Sequence, residues 1–161
     1  MSDILHGLPP LVDTHSRILI FGSFPSGASL AAGMYYARRQ NQFWRVLGAV
    51  LDEPLNDMAY AERQQALRRA RIGIWDVYAS CERSGSLDSA IRNGQVSDFA
   101  SLKRQAPELR RVCFNGKTAA RFERTLQSLG YETFVLPSTS PAYTLAFEKK
   151  LALWREALAG V

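Results

Sequence analysis

Four short apolar runs punctuate the chain: RILIFG (Arg17–Gly22), IGIWDV (Ile72–Val77), RRVCFN (Arg110–Asn115) and YETFVL (Tyr131–Leu136). None alternates apolar with polar positions, which suits strands covered on both faces, as in a parallel sheet. The segments between them have helical character. Phe43, Val46, Leu47 and Val50 recur at helical spacing in Gln42–Leu51, and Tyr60–Arg71 is rich in Ala, Gln, Leu and Arg. Lys117–Leu129 sets Ala120, Phe122 and Leu126 on one face and stops at Gly130, while Tyr143–Leu158 closes the chain amphipathically. Strand–helix alternation predicts an α/β fold, a three-layer α/β/α sandwich around a short four-stranded parallel sheet. With no repeat, linker or charge block to divide it, the chain reads as one domain, residues 1–161.

In such sheets ligands sit beyond the carboxyl ends of the strands. Four segments qualify: the loop after Gly22, Asp76–Asp88, Asn115–Lys117 and Pro137–Tyr143. The first carries Gly22, Gly27 and Gly33 for tight turns, with Ser23 and Ser26 offering hydroxyls and amides to a phosphate. It has neither the Gly-Lys-Ser/Thr of a Walker loop nor a GxGxxG fingerprint. It continues into Met34, Tyr35 and Tyr36, then Asn41, Phe43 and Trp44. Flat rings suit stacked nucleobases. Trp44 reads as a core anchor, whereas Phe43 and the tyrosines remain open between core and platform. Asn41 is either a helix N-cap or a chemical group whose NH2 donates while its carbonyl accepts. In LPSTSPAY (Leu136–Tyr143) two prolines bracket three hydroxyl residues that suit phosphate contact. Asp76 and Asp88 are the carboxylates nearest this cleft, and both read as acceptors for loop amides rather than as bases.

Charge and cysteine content sharpen the picture only so far. Twenty Lys and Arg against fifteen acids leave +5, and Arg38–Arg39, Arg68–Arg69 and Arg110–Arg111 stand in pairs. Arginine suits bidentate phosphate contact, yet a solvated basic surface fits equally well. Two cysteines, Cys81 and Cys113, make neither a disulfide framework nor a metal site, and no metal or cofactor is expected. His6 and His15 both precede the first strand, so no Ser-His-Asp arrangement forms. The start MSDILHGLPP lacks the basic and apolar regions of a signal peptide, and no run reaches the length of a membrane span, so a cytoplasmic protein without membrane partner is expected. Rings, amides and hydroxyls converging on one side suit a polar heterocycle.

GSFPS after the first strand, YY…NQFW beyond it, FNGK at the third and LPSTSPA after the fourth resemble the uracil-DNA glycosylase superfamily, in its deoxyinosine (hypoxanthine) branch. The resemblance covers essentially the whole chain with the motifs in order. It implies a small α/β/α sandwich and an enzyme that flips a deaminated or mispaired base from DNA and hydrolyses its N-glycosidic bond; a monomer is the default expectation for an enzyme that slides on DNA. It further implies Asn41 as the main catalytic residue, with Asn115 helping the departing base. Phe43, Tyr35, Tyr36, Phe24 and Ser23 would surround the flipped base. Ser26, Lys117, Ser138, Thr139 and Ser140 would contact phosphate, with Pro141, Ala142 or Tyr143 near the gap in the duplex. Two departures stand out. Ser23 occupies the place where many members carry an Asp or Asn to position water, and LPSTSPA lacks the His of efficient uracil enzymes. A catalytically idle DNA-binding module is the alternative that Ser23 keeps open.

Overall fold

The computed structural model describes residues 3–160; Met1, Ser2 and Val161, at the ends of the expected domain, lie outside the described residues. In chain order the elements are β1 (Ile4–His6), β2 (Ile18–Gly22), α1 (Gly27–Ala32), α2 (Phe43–Leu51), α3 (Tyr60–Ala70), β3 (Ile72–Asp76) and β4 (Tyr78–Glu82). They continue with β5 (Arg92–Val96), α4 (Leu102–Gln105), β6 (Arg111–Asn115), α5 (Glu123–Ser128), β7 (Glu132–Leu136) and α6 (Phe147–Leu158).

β3, β2, β6 and β7 pair in that order, each pair parallel. Every residue of β2 and β3 is buried, the physical counterpart of their unbroken apolar runs. Successive side chains serve opposite faces of the sheet. Ile18 and Ile20 pack with Phe43, Trp44, Leu47, Leu67 and Trp154 from α2, α3 and α6. Leu19 and Phe21 turn the other way, onto Phe99, Leu102 and Leu126. Helices therefore cover both faces, and the expected three-layer sandwich with its four parallel strands is the one observed.

Three local readings change. Asp76–Asp88, expected as a loop, contains β4, which joins β1 and β5 in an antiparallel sheet of order β1–β4–β5. YASCE and RNGQV are largely polar and poorly buried, so neither strand has an apolar period to read. Gly27–Ala32, read within the opening loop, is α1, capped by the Ser26 side chain and closed by Gly33 in the left-handed region. The expected Lys117–Leu129 helix divides into a 3-10 turn, Ala119–Phe122, and α5.

The last helix also starts later, at Phe147 rather than Tyr143. Lys150, 1% exposed, donates to the carbonyls of Tyr143 and Ser140 at 2.7 and 3.4 Å and to Gln42 Oε1 at 3.1 Å. An ammonium held beneath the segment this way takes the carbonyls a helix would need and keeps Ser140–Tyr143 as a loop. Strand order reverses between β2 and β6, so the crevice for a ligand lies beyond Gly22 and Asn115. Among the described residues no helix is long and apolar enough to cross a membrane.

Candidate active site

A cavity of about 430 Å³ opens at that crevice, a volume usual for small-molecule sites. Gly22 ends β2 beneath it. A Cβ there would lie 2.5 Å from Asp76 Oδ1 and 2.7 Å from the Tyr36 hydroxyl oxygen, so only glycine leaves room for both groups.

The rings sort themselves by depth. Tyr36 stacks flat on Phe43, with centroids 3.9 Å apart and planes 9° from parallel. Phe43 is fully buried and stands edge-on to Trp44 and Trp154. It does not reach the cavity, because Tyr36 covers its outer face; of the rings left open between core and platform, Phe43 belongs to the core and Tyr36 lines the cavity. Tyr36 holds a φ of 53°, a left-handed conformation costly for a bulky side chain, of order 1–3 kcal/mol. The stack and a hydrogen bond to its hydroxyl offset that strain. Tyr35 lines the cavity too, but its hydroxyl donates to the carbonyls of Leu8 and Pro9. Trp44, 2% exposed, sits in the core, donating from Nε1 to the Tyr35 carbonyl at 3.0 Å. Phe24 is buried under the Arg83 guanidinium, which also binds the Pro25 carbonyl and fixes the GSFPS turn.

Asn115 and Asn41, from distant parts of the chain, meet through one threonine. Asn115 Nδ2 donates to the Tyr36 hydroxyl at 3.2 Å and to Thr139 Oγ1 at 2.9 Å, and its Oδ1 accepts from Thr139 N at 3.0 Å. Thr139 Oγ1 then donates to Asn41 Oδ1 at 2.7 Å. Phe43 N donates to the same oxygen at 2.9 Å, and Gln42 N to the Thr139 carbonyl at 3.0 Å. Thr139 is fully buried and cannot meet a phosphate; its expected DNA contact is replaced by a linking role inside the protein. Both lone pairs of Asn41 Oδ1 are used, while its Nδ2 has no partner among the described residues and the side chain lines the cavity. The capping bond to Phe43 N and a place in the site thus coexist in Asn41. Asn115, by contrast, has both amide hydrogens engaged, which leaves the expected help to a departing group without a free donor.

The remaining candidates occupy the rim. Ser138 Oγ accepts from Ser140 N and Ser140 Oγ from Ala142 N, which stiffens the loop that exposes Pro141, Ala142 and Tyr143. Ser26 lines the cavity with its hydroxyl engaged as the α1 cap. Lys117 is exposed and lies outside the cavity wall. Arg38 borders both the cavity and an adjoining groove that holds Arg39 and Arg45, placing part of the basic charge at the entrance. Sequence reasoning missed Leu87, 65% exposed and lining the cavity; an apolar residue inside the polar SGSLDSA stretch was its one signal.

Two carboxyls line the cavity in different surroundings. Asp88 is exposed and accepts from Ser23 Oγ at 2.6 Å. Asp76, 5% exposed, takes no loop amide, contrary to expectation, and its Oδ2 has no partner. Burial pushes its pKa up to about 7, the charge of Asp88 adds to this, and Arg83 opposes it. Burial and then Asp76 hold the Tyr36 phenol well above its ordinary value. Among the described residues no group of three His, Cys, Asp or Glu side chains is placed to hold a metal.

The model of the uracil DNA glycosylase superfamily matches residues 9–160. Among curated proteins the chain is similar to a hypoxanthine DNA glycosylase of Methanosarcina acetivorans, 45% identical over 86% of this chain and 88% of that protein. A hypoxanthine DNA glycosylase of Methanosarcina barkeri is 39% identical over 94% of this chain and 96% of its own. The solution NMR structure of a Methanosarcina acetivorans protein, described as a candidate uracil DNA glycosylase, superposes with a TM-score of 0.85. It is 40% identical and covers 96% of this chain and 99% of that one.

Proposed function

Since the chain belongs to the uracil DNA glycosylase superfamily, we propose that it is a monofunctional DNA glycosylase that flips hypoxanthine out of a duplex and hydrolyses its N-glycosidic bond. The observation that carries this reading is the hydrogen-bond chain Tyr36–Asn115–Thr139–Asn41 around a cavity at the sheet's switch point. Two similar proteins bear the hypoxanthine activity in their names, which supports that base as first substrate.

Extruding a base costs a few kcal/mol, least at a weak pair, so selectivity starts before the cavity is reached. The arginines at the entrance hold the backbone while the base slides along Tyr36. The sugar then develops oxocarbenium character as the bond lengthens. Asn41 holds the attacking water by its oxygen through Nδ2, the amide atom left free by the capping and threonine bonds. Lys117 stands outside the cavity, so no Schiff base forms and the product is an abasic site in an intact strand.

Duplexes carrying hypoxanthine, uracil, xanthine or a thymine mispair, treated with alkali after incubation, test the reading. Strand breaks at hypoxanthine with alkali and none without it are expected, with no borohydride-trapped adduct. No break on any lesion at excess enzyme overturns it. Gly22→Ala is expected to slow hypoxanthine release at least tenfold while melting within a few degrees of the parent, because the new Cβ displaces Tyr36 or Asp76. A parental rate for Gly22→Ala in a single-turnover assay contradicts this picture of the cavity floor.

A further inference from the structure

Cleavage of an N-glycosidic bond leaves an electron pair on the base, and the residues assigned so far do not receive it. Asn115 has both amide hydrogens committed to Tyr36 and Thr139. Asn41 Nδ2 is taken by the water. Neither histidine lines the cavity, and His15 is paired with Glu108 on the surface. The Tyr35 hydroxyl is spent on Leu8 and Pro9. The Tyr36 hydroxyl accepts from Asn115, and burial holds its own proton far more tightly than a carboxyl would; the stronger buried acid is Asp76, set at the carboxyl end of β3 in the cavity wall, with Oδ2 unpartnered and Oδ1 crowding Gly22 beside the Tyr36 hydroxyl. A charged carboxylate with one oxygen buried and unbonded is costly, whereas a neutral carboxyl needs an acceptor for one O–H. Among the described residues nothing hydrogen-bonds Oδ2, and Asp76 lines the cavity, where a bound base offers an acceptor.

We infer that Asp76, as a neutral acid, donates to and protonates the departing base. This rests on the glycosylase reading above. In balance, the C1′–N9 pair goes to the base as the bond breaks, and the Asp76 proton moves to O6 or N7, so the base leaves neutral. The water oxygen bonds to C1′, and the proton it sheds passes to solvent, from which Asp76 is recharged.

Of the charged groups that face Asp76, one favours its neutral form and one opposes it. Tyr35 and Tyr36 approach from the opening loop, and Asp88 from the β4–β5 connection. Among the described residues the one cation facing it is Arg83, just after β4, whose Nε and Nη2 donate to the carbonyls of Gly85 and Pro25 while Nη1 is buried without a partner. The Ser97 hydroxyl approaches only the Asp76 carbonyl. Its pKa of about 7 leaves the acid populated at neutral pH and poised to give up its proton.

The test is single-turnover release of hypoxanthine from a duplex at saturating enzyme, from about pH 5.5 to about pH 9, for the parent and Asp76→Asn. The parent rate is expected to be level in acid and to fall about tenfold per unit above about pH 7. Asp76→Asn, which keeps shape and a donor but no transferable proton, is expected to be some 10–100-fold slower at pH 6 and level across the range. Parent and variant with the same pH dependence, or equal rates at pH 6, overturn the assignment alone. A parent that releases no base at any pH overturns the glycosylase reading and the assignment with it.

Melting gives a readout independent of turnover. A carboxyl whose pKa is raised from 3.8 to about 7 on folding stabilises the protein below the lower value and loses that stability as pH climbs through the upper one. Asp76→Asn is therefore expected to melt above the parent at pH 8.5, by roughly 5 °C or more, with the gap closing in acid. A variant that melts level with or below the parent at pH 8.5 contradicts the neutral acid.

Discussion

Asn41→Ala is expected to lower the rate of hypoxanthine release by about 10²–10³-fold, the usual cost of removing one oriented donor from a reaction centre. Duplex affinity is expected to stay within about threefold, since the arginines that border the cavity are untouched. The variant also loses the bond to Phe43 N, a capping loss of about 1 kcal/mol that a chain of this size tolerates. Asn41→Asp separates the two atoms of the amide. Its carboxylate still accepts from Phe43 N and Thr139 Oγ1, so the helix start is kept while the Nδ2 donor disappears. If the nitrogen holds the water, the Asn41→Asp enzyme is nearly as slow as Asn41→Ala. A parental rate for Asn41→Asp would transfer the water-holding role to the oxygen.

Thr139→Val carries the second largest effect. Valine matches threonine in shape, but without the hydroxyl Asn41 Oδ1 loses one of its two donors and Asn115 Nδ2 loses an acceptor. Leaving such half-buried groups unpaired costs about 1 kcal/mol or more, and the freed Asn41 amide samples orientations that do not hold the water. We expect the release rate to drop about 10–100-fold and Thr139→Ser to recover most of it. A phosphate-contacting threonine would behave differently: its loss would weaken DNA binding and flatten the salt dependence, with the rate at saturation unchanged. Single-turnover rates set beside a salt titration of binding tell the two apart.

The sheet was legible because its strands are buried on both faces and their apolar runs are unbroken; Ile18 to Gly22 needed no other signal. The small antiparallel sheet was not, since strands such as Arg92–Val96 face solvent and carry no apolar period. For the site, position after a strand end drew attention to Asn41, Asn115 and the LPSTSPA loop. Depth was the quantity the sequence withheld. Phe43 and Tyr36 differ little as letters, yet one is sealed under the other. Thr139 sits between two serines in a hydroxyl-rich loop, and only the path of the backbone sends its side chain inward. Asp76 shows the same limit: nothing in the IGIWDV run marks its carboxyl as unpaired, because that follows from what its neighbours in space fail to supply.

The central claim is that this cavity releases an intact base from DNA, and direct detection of that base tests it most closely. A hypoxanthine-containing duplex would be incubated with stoichiometric excess of enzyme, and the supernatant analysed by mass spectrometry beside the Asn41→Ala variant. The account predicts free hypoxanthine in equal amount to abasic sites from the parent, and only traces from the variant. No free base from the parent, or equal release by both proteins, would contradict it.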